Sequence, residues 1–276
     1  MGTSLGEALH EEDMFAPYTL PTLDRRIETL DGIPLHTLRL GKEPEKGVIL
    51  GHGFGGNKNI RDFVALAQDL SEHYTVYSFD FRGHGLSPGV STFGYLEVLD
   101  LMAMVDLALL DGNRLLAALG FSMGGVAIIR YAALCGGLDS AMAVSVPADI
   151  HTARAPGSLL IRLMMGNPLG RAFAARRYGI TVDGIWKLGA PPASLVHMVA
   201  PQPLTIIQGE DDYIFELEQA RRLQQLAGYN CRFKAFTDFG HAEQGYGPRL
   251  LQYILSILEE DLGSAPHIHK KPNKTF

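Results

Sequence analysis

The stretch LLAALGFSMGGVAIIRYAAL, residues 115–134, decides how the chain is read. Its first six residues are an apolar run of strand length, and its last nine continue as an apolar helical pattern. Between them Gly120-Phe121-Ser122-Met123-Gly124 fits G-x-S-x-G. Alone, so short a string occurs by chance in loops. At a strand-to-helix junction it has a physical meaning, because the sharp turn forces the serine hydroxyl out at the top of a sheet. The flanking glycines let strand and helix approach closely. The N-terminus of the new helix adds partial positive charge beside that hydroxyl. Ser122 is therefore the candidate nucleophile.

Outward from this junction the pattern alternates. Strand candidates are residues 26–29, 35–40, 47–50, 75–79, 115–120, 141–146, 204–208 and 232–236; helical candidates are 60–71, 92–110, 123–135, 216–227 and 248–262. The later strand runs are almost wholly apolar, as expected of strands covered on both faces. Strands alternating with helices predict an α/β fold with a mostly parallel central sheet flanked by helices. Asp31-Gly32 between the first two strands is a hairpin signal, so that edge is expected to be antiparallel. Residues 21–149 and 201–262 read as the α/β core. Residues 150–200 break the alternation with a Leu/Met-rich run, then the basic Arg171, Arg176 and Arg177, then Trp186, and read as a helical cap insertion following a strand's carboxyl end, where ligands bind in such sheets. Residues 1–20 and 263–276 read as poorly ordered ends.

Two further loops complete a chemistry. His52-Gly53-Phe54-Gly55-Gly56 follows the strand GVIL, and no Walker lysine with a following serine or threonine stands in the frame a phosphate loop needs. Such a loop, with the amide after the nucleophile, supplies two backbone donors for a developing oxyanion; the candidates are the N–H groups of Phe54 and Met123. A serine hydroxyl also needs a base. Of ten histidines, His241 lies in a loop after the strand RFKAF; His52 and His84 sit in glycine-flanked structural contexts. The imidazole needs a carboxylate to fix its tautomer. Gly209-Glu210-Asp211-Asp212 follows the strand LTIIQ, and either aspartate could serve; Asp212, having cleared the turn, is the expected partner, with Asp211 capping the turn or the following helix and Asp149 as a further alternative.

Composition limits the partners. A net charge of −6 and a pI near 5.9 argue against nucleic acid. Two cysteines, Cys135 and Cys231, read as reduced structural thiols. The acidic start has no apolar core of a secretory signal, and apolar runs are broken well short of membrane length, so a cytoplasmic protein with no stable membrane insertion is expected. No metal and no cofactor is implied. A homodimer is compatible with this reading.

The motifs together resemble the α/β-hydrolase family, over roughly residues 25–260. The order Ser122, Asp212, His241 is that of the family's catalytic triad. Phe79-Asp80-Phe81-Arg82-Gly83-His84-Gly85-Leu86-Ser87 resembles a segment whose role there is structural, and GEDDYIF resembles the acid-bearing loop, with Phe215 where many relatives carry proline. HGFGGNKN and the insertion's size resemble microbial serine carboxylesterases, including cinnamoyl and feruloyl esterases, and monoglyceride-lipase-like members. Serine at the turn argues against haloalkane dehalogenases and epoxide hydrolases, which use aspartate, and dienelactone hydrolases, which use cysteine. The resemblance implies hydrolysis of a small or short-chain ester through an acyl-enzyme on Ser122, in a pocket lined by Phe54, Leu163, Met164 and Trp186. A thioesterase, a C–C bond hydrolase, an aminopeptidase or a monoglyceride lipase could run on the same three residues, because fold does not fix function. A non-catalytic receptor is disfavoured, since the three residues and the loop glycines are all present.

Overall fold

The computed structural model describes residues 14–184 and 189–263. Eight strands form one sheet: β1 (Leu23–Glu28), β2 (Pro34–Leu40), β3 (Lys46–Gly51), β4 (Thr75–Phe79), β5 (Leu115–Phe121), β6 (Ser140–Val144), β7 (Leu204–Gly209) and β8 (Cys231–Phe236). Their spatial order is β1-β2-β4-β3-β5-β6-β7-β8. The pairs β1–β2 and β2–β4 are antiparallel and all others parallel. The hairpin turns at Thr29–Ile33, with Gly32 at φ 79°.

Two apolar layers hold the sheet, and strand alternation feeds both. Ile49, Leu116 and Ala118 join one cluster; Val48, Leu50, Leu115, Ala117 and Leu119 join the other. The first layer packs against α2 (Glu97–Leu110), α3 (Met123–Leu134) and α7 (Leu217–Ala227), the second against α1 (Arg61–Ser71) and α8 (Pro248–Gly263). Each fully buried Leu, Ile or Phe in these layers contributes about 1.5–3 kcal/mol relative to exposure. Edge strands β1 and β8 are only partly covered.

The helix expected from Thr92 begins instead at Glu97. The Glu97 carboxylate captures the preceding turn, accepting from Thr92 N, Thr92 Oγ1, Gly94 N and Ser91 Oγ at 2.7–2.8 Å. These bonds hold residues 92–94 in a loop, with Phe93 at φ 55° and Gly94 at φ 89°.

Residues 150–200 contain α4 (Pro156–Gly166), α5 (Pro168–Tyr178), a short α6 (Pro192–Leu195) and a 3-10 turn at Val196–Met198. Asn167 ends α4 and caps α5, its Oδ1 accepting from Gly170 N at 2.8 Å. Helix α4 is seated by buried Ile161, Met164 and Met165, and Gly157 N donates to Tyr213 O at 3.1 Å. The end of α5 reaches the loop after β3, where Tyr178 lies 3.8 Å from the position a Gly55 Cβ would take.

The sheet's direction of winding reverses at β3, which pairs with β4 on one side and β5 on the other. The loops leaving the carboxyl ends of β3 and β5 diverge there, opening the crevice where ligands bind in doubly wound sheets. His52–Gly56 leaves β3 and Ser122 leaves β5, side by side.

Candidate active site

Ser122 sits at φ 51°, ψ −114°, a conformation that side-chain-bearing residues rarely adopt and that costs of order 1–3 kcal/mol. Its amide is held to Val144 O at 2.8 Å. Its neighbours make the turn possible. A Cβ on Gly120 would stand 2.5 Å from the Gly124 backbone, and one on Gly124 would stand 2.4 Å from Gly51 O. Strand β5, helix α3 and strand β3 are thus packed backbone to backbone. Met123 is the first residue of α3, so its N–H has no intrahelical acceptor.

The loop after β3 is oriented by two neutral histidines. Burial pushes the His52 pKa down to about 3, with His84 adding to the effect. His52 Nε2 accepts from Phe81 N at 3.0 Å, which leaves Nδ1–H to donate to Gly53 O at 2.8 Å. Gly53 O also accepts from Gly56 N at 3.1 Å. Because a peptide unit is planar and trans, fixing the Gly53 carbonyl aims the Phe54 N–H the opposite way. His84 Nδ1 meets Arg82 O at 3.0 Å, its Nε2 accepts from Gly55 N at 3.4 Å, and its ring packs edge-on to Phe54 at 5.8 Å. Gly53 borders Ser122 directly: a Cβ there would lie 3.5 Å from Ser122 Cβ.

His241 follows β8, and both oxygens of Asp212 lie on its Nδ1, at 2.9 and 3.0 Å. Asp212 is itself over-determined. Oδ1 accepts from Ile214 N at 2.8 Å and Phe215 N at 3.0 Å, and Oδ2 from Gln208 Nε2 at 2.9 Å. A proline at 215 would lack one of these donors. Asp211 is exposed, and Asp149 accepts from His151 N at 2.8 Å in a turn of its own. The His241 loop is tied down by Ala242 N donating to Ser145 Oγ at 2.9 Å, and Phe215 packs edge-on to the imidazole at 5.5 Å.

The DFRGHG segment carries a buried polar knot behind this site. Lys58 Nζ meets Asp80 Oδ2 at 2.7 Å, with both side chains almost fully covered, while Arg82 bridges Asp100 and Asp31.

Among the other residues expected at the site, Phe54 packs on Phe93 at 5.7 Å. Met164 is 8% exposed and inside the large core cluster, Leu163 is 63% exposed, and Trp186 lies outside the described residues. Sequence reasoning missed Gln208, Ser145 and Glu243. Gln208 had a signal, a polar residue in an otherwise apolar run; Ser145 and Glu243 are recognisable only through partners far away in sequence. Among the described residues no group of three His, Cys, Asp or Glu could hold a metal ion, and no helix is long and apolar enough to cross a membrane.

Chemically, the assembly offers a hydroxyl on a strained turn and an imidazole whose Nδ1 proton is held by a carboxylate. The fold recurs in solved structures. An esterase of Pyrococcus furiosus, Pf2001, superposes with a TM-score of 0.72 at 21% identity, covering 95% of this chain and 99% of that one. The alpha/beta hydrolase GrgF of Penicillium sp. sh18 gives 0.70 at 19% identity, over 89% of this chain and all of the other. The esterase RhEst1 of Rhodococcus sp. ECU1013 gives 0.66 at 17%, over 86% and 99%. No curated protein matches the chain in sequence. The sequence model of the alpha/beta hydrolase family matches residues 48–270, which include Ser122, Asp212, His241 and the loop after β3, and the chain belongs to that family.

Proposed function

We infer that the chain is a serine carboxylesterase acting on small or short-chain esters. The observation that supports this reading is Asp212 fixed on His241 Nδ1, with Ser122 held on its strained turn at the end of β5. Ser122 Oγ attacks the ester carbonyl while His241 Nε2 takes its proton. Asp212 holds the imidazole in the required tautomer and stabilises the imidazolium. The Phe54 and Met123 amides receive the oxyanion, one such donor contributing about 3–4 kcal/mol to the transition state. His241 then protonates the leaving alcohol, and water activated by the same nitrogen frees the acid. Esterases among the structural neighbours support this choice within the family.

Residues 150–200 act as the cap in this reading, supported by their contacts with Tyr213 on one side and Gly55 on the other. Phe54, Leu163, Met164 and Trp186 are assigned to the substrate pocket. The test is hydrolysis of p-nitrophenyl esters of increasing chain length, with Ser122→Ala alongside. Turnover of the short esters, abolished in the variant, is expected. No turnover at any length, or turnover surviving in Ser122→Ala, overturns the reading.

A further inference from the structure

Glu243 stands two residues past His241, in a 3-10 turn spanning Ala242–Gly245. Its Oε2 is withdrawn from solvent and has no hydrogen-bond partner. A buried polar atom left unpaired costs about 1–3 kcal/mol, so such an atom beside a reaction centre calls for an explanation. Its position is specific. The point where a Gly53 Cβ would stand is 3.5 Å from Glu243 Oε2 and 3.5 Å from Ser122 Cβ. In front of the Gly53 Cα there is thus room for about one carbon-sized atom, bounded by Glu243 Oε2, Ser122 Cβ and, at 3.7 Å, Phe121 O. Burial pushes the Glu243 carboxyl upward, and Asp62 adds to that, against its own backbone amide and His241.

This space lies on a definite side of the reaction. In the serine-esterase reading, on which this inference rests, the leaving oxygen must reach His241 to receive its proton. The alcohol portion therefore extends toward the His241 loop, the loop that carries Glu243. We propose that Glu243 is a specificity-determining residue whose Oε2 accepts a hydrogen bond from a donor on the alcohol portion of the substrate, selecting esters of hydroxy-alcohols or amino-alcohols. Since the attacked carbon sits about 3–3.5 Å from the nucleophile, the donor belongs within a few bonds of the ester oxygen.

The test compares propyl butyrate, 2-hydroxyethyl butyrate and 2-(dimethylamino)ethyl butyrate, with acid release followed titrimetrically. In the wild type, kcat/KM for at least one donor ester should exceed that for propyl butyrate by about tenfold or more, the effect of one buried hydrogen bond. Preference for the ammonium ester marks an ionised carboxylate, and preference for the hydroxyethyl ester a neutral one. Glu243→Met should bring the donor-to-propyl ratios close to one. Glu243→Gln, which keeps an acceptor of the same size, should retain the hydroxyethyl ratio and lose any ammonium preference. A purely structural role would lower all three rates together and leave the ratios alone. Equal wild-type rates, or ratios unchanged in Glu243→Met, overturn the proposal. Loss of dependence on Ser122, tested with Ser122→Ala on the same esters, would instead remove the esterase reading beneath it.

Discussion

Replacing Asp212 by asparagine changes one atom, and the surroundings dictate how the new side chain must sit. Two backbone amides, of Ile214 and Phe215, already point at Oδ1. The asparagine oxygen must take that place, which puts its NH2 where Oδ2 was. There it faces Gln208 Nε2 and His241 Nδ1. Gln208 cannot simply flip, because the same nitrogen donates to Phe215 O at 2.9 Å. Nδ1 then meets the asparagine NH2 at the nearer position, 2.9 Å, and the asparagine oxygen at 3.0 Å; accepting from the NH2 moves the imidazole proton to Nε2, the atom that should receive the Ser122 proton. A wrong tautomer of this kind lowers kcat by about 10,000-fold, close to 5.4 kcal/mol at 1.36 kcal/mol per decade. The opposed NH2 groups should also destabilise the fold by about 1–3 kcal/mol. The assay is kcat on p-nitrophenyl butyrate with a parallel thermal melt. Asp149→Asn, by contrast, should leave kcat within a few-fold of wild type. A folded Asp212→Asn protein with kcat within tenfold of wild type would refute the reasoning.

Other expectations follow from the packing. Lys58→Met strips the buried Asp80 carboxylate of its ion-pair partner, and breaking such a pair costs about 3–5 kcal/mol; at about 2–4 °C per kcal/mol for a chain of this size, a melting scan should fall by at least 6 °C, and a fall under 2 °C counts against the knot. Gly124→Ala drives a methyl into Gly51 O and should lower both Tm and kcat, since it separates Ser122 from the loop after β3. Gly166→Ala, with nothing within 4 Å, is the neutral control. Glu243→Gln tests a charge in the fold. The carboxyl is raised by burial, and Asp62 raises it further, while its own amide and His241 pull it down. A folded pKa above the unfolded one means the native state holds the extra proton, so wild-type stability falls as pH rises from the unfolded value, about 4.3, through the folded value. The Tm of the Gln variant relative to wild type should therefore rise between pH 4 and pH 8; a constant difference would contradict the shift.

Much of this architecture is legible in the residues because burial on both faces leaves a plain signature. Runs such as LLAALG and LTIIQ have no polar face to present, and each became a central strand. The Asp31-Gly32 turn predicted the antiparallel edge because its geometry is local. Thr92–Leu96 misled because its apolar spacing suits a helix, while the carboxylate of Glu97 offers the same amides better acceptors. Asp212 and Asp211 differ in sequence only by one position along a turn; what separates them is that Gln208, Ile214, Phe215 and His241 all donate to one of them. Ser145 and Glu243 carry no local pattern at all. Their parts are set by meetings with Ala242 and Gly53, nearly one hundred or more residues away along the chain, which only the folded sheet brings about.

The most direct test is covalent. A fluorophosphonate ester reacts with an activated serine and mimics the tetrahedral intermediate that the Phe54 and Met123 amides are assigned to hold. Intact-mass analysis after incubation should show one adduct per chain, peptide mapping should place it on Ser122, and ester hydrolysis should disappear in step with labelling. The Ser122→Ala protein should remain unmodified. Labelling at another residue, or undiminished hydrolysis by fully labelled protein, would contradict the assignment of Ser122 as the nucleophile.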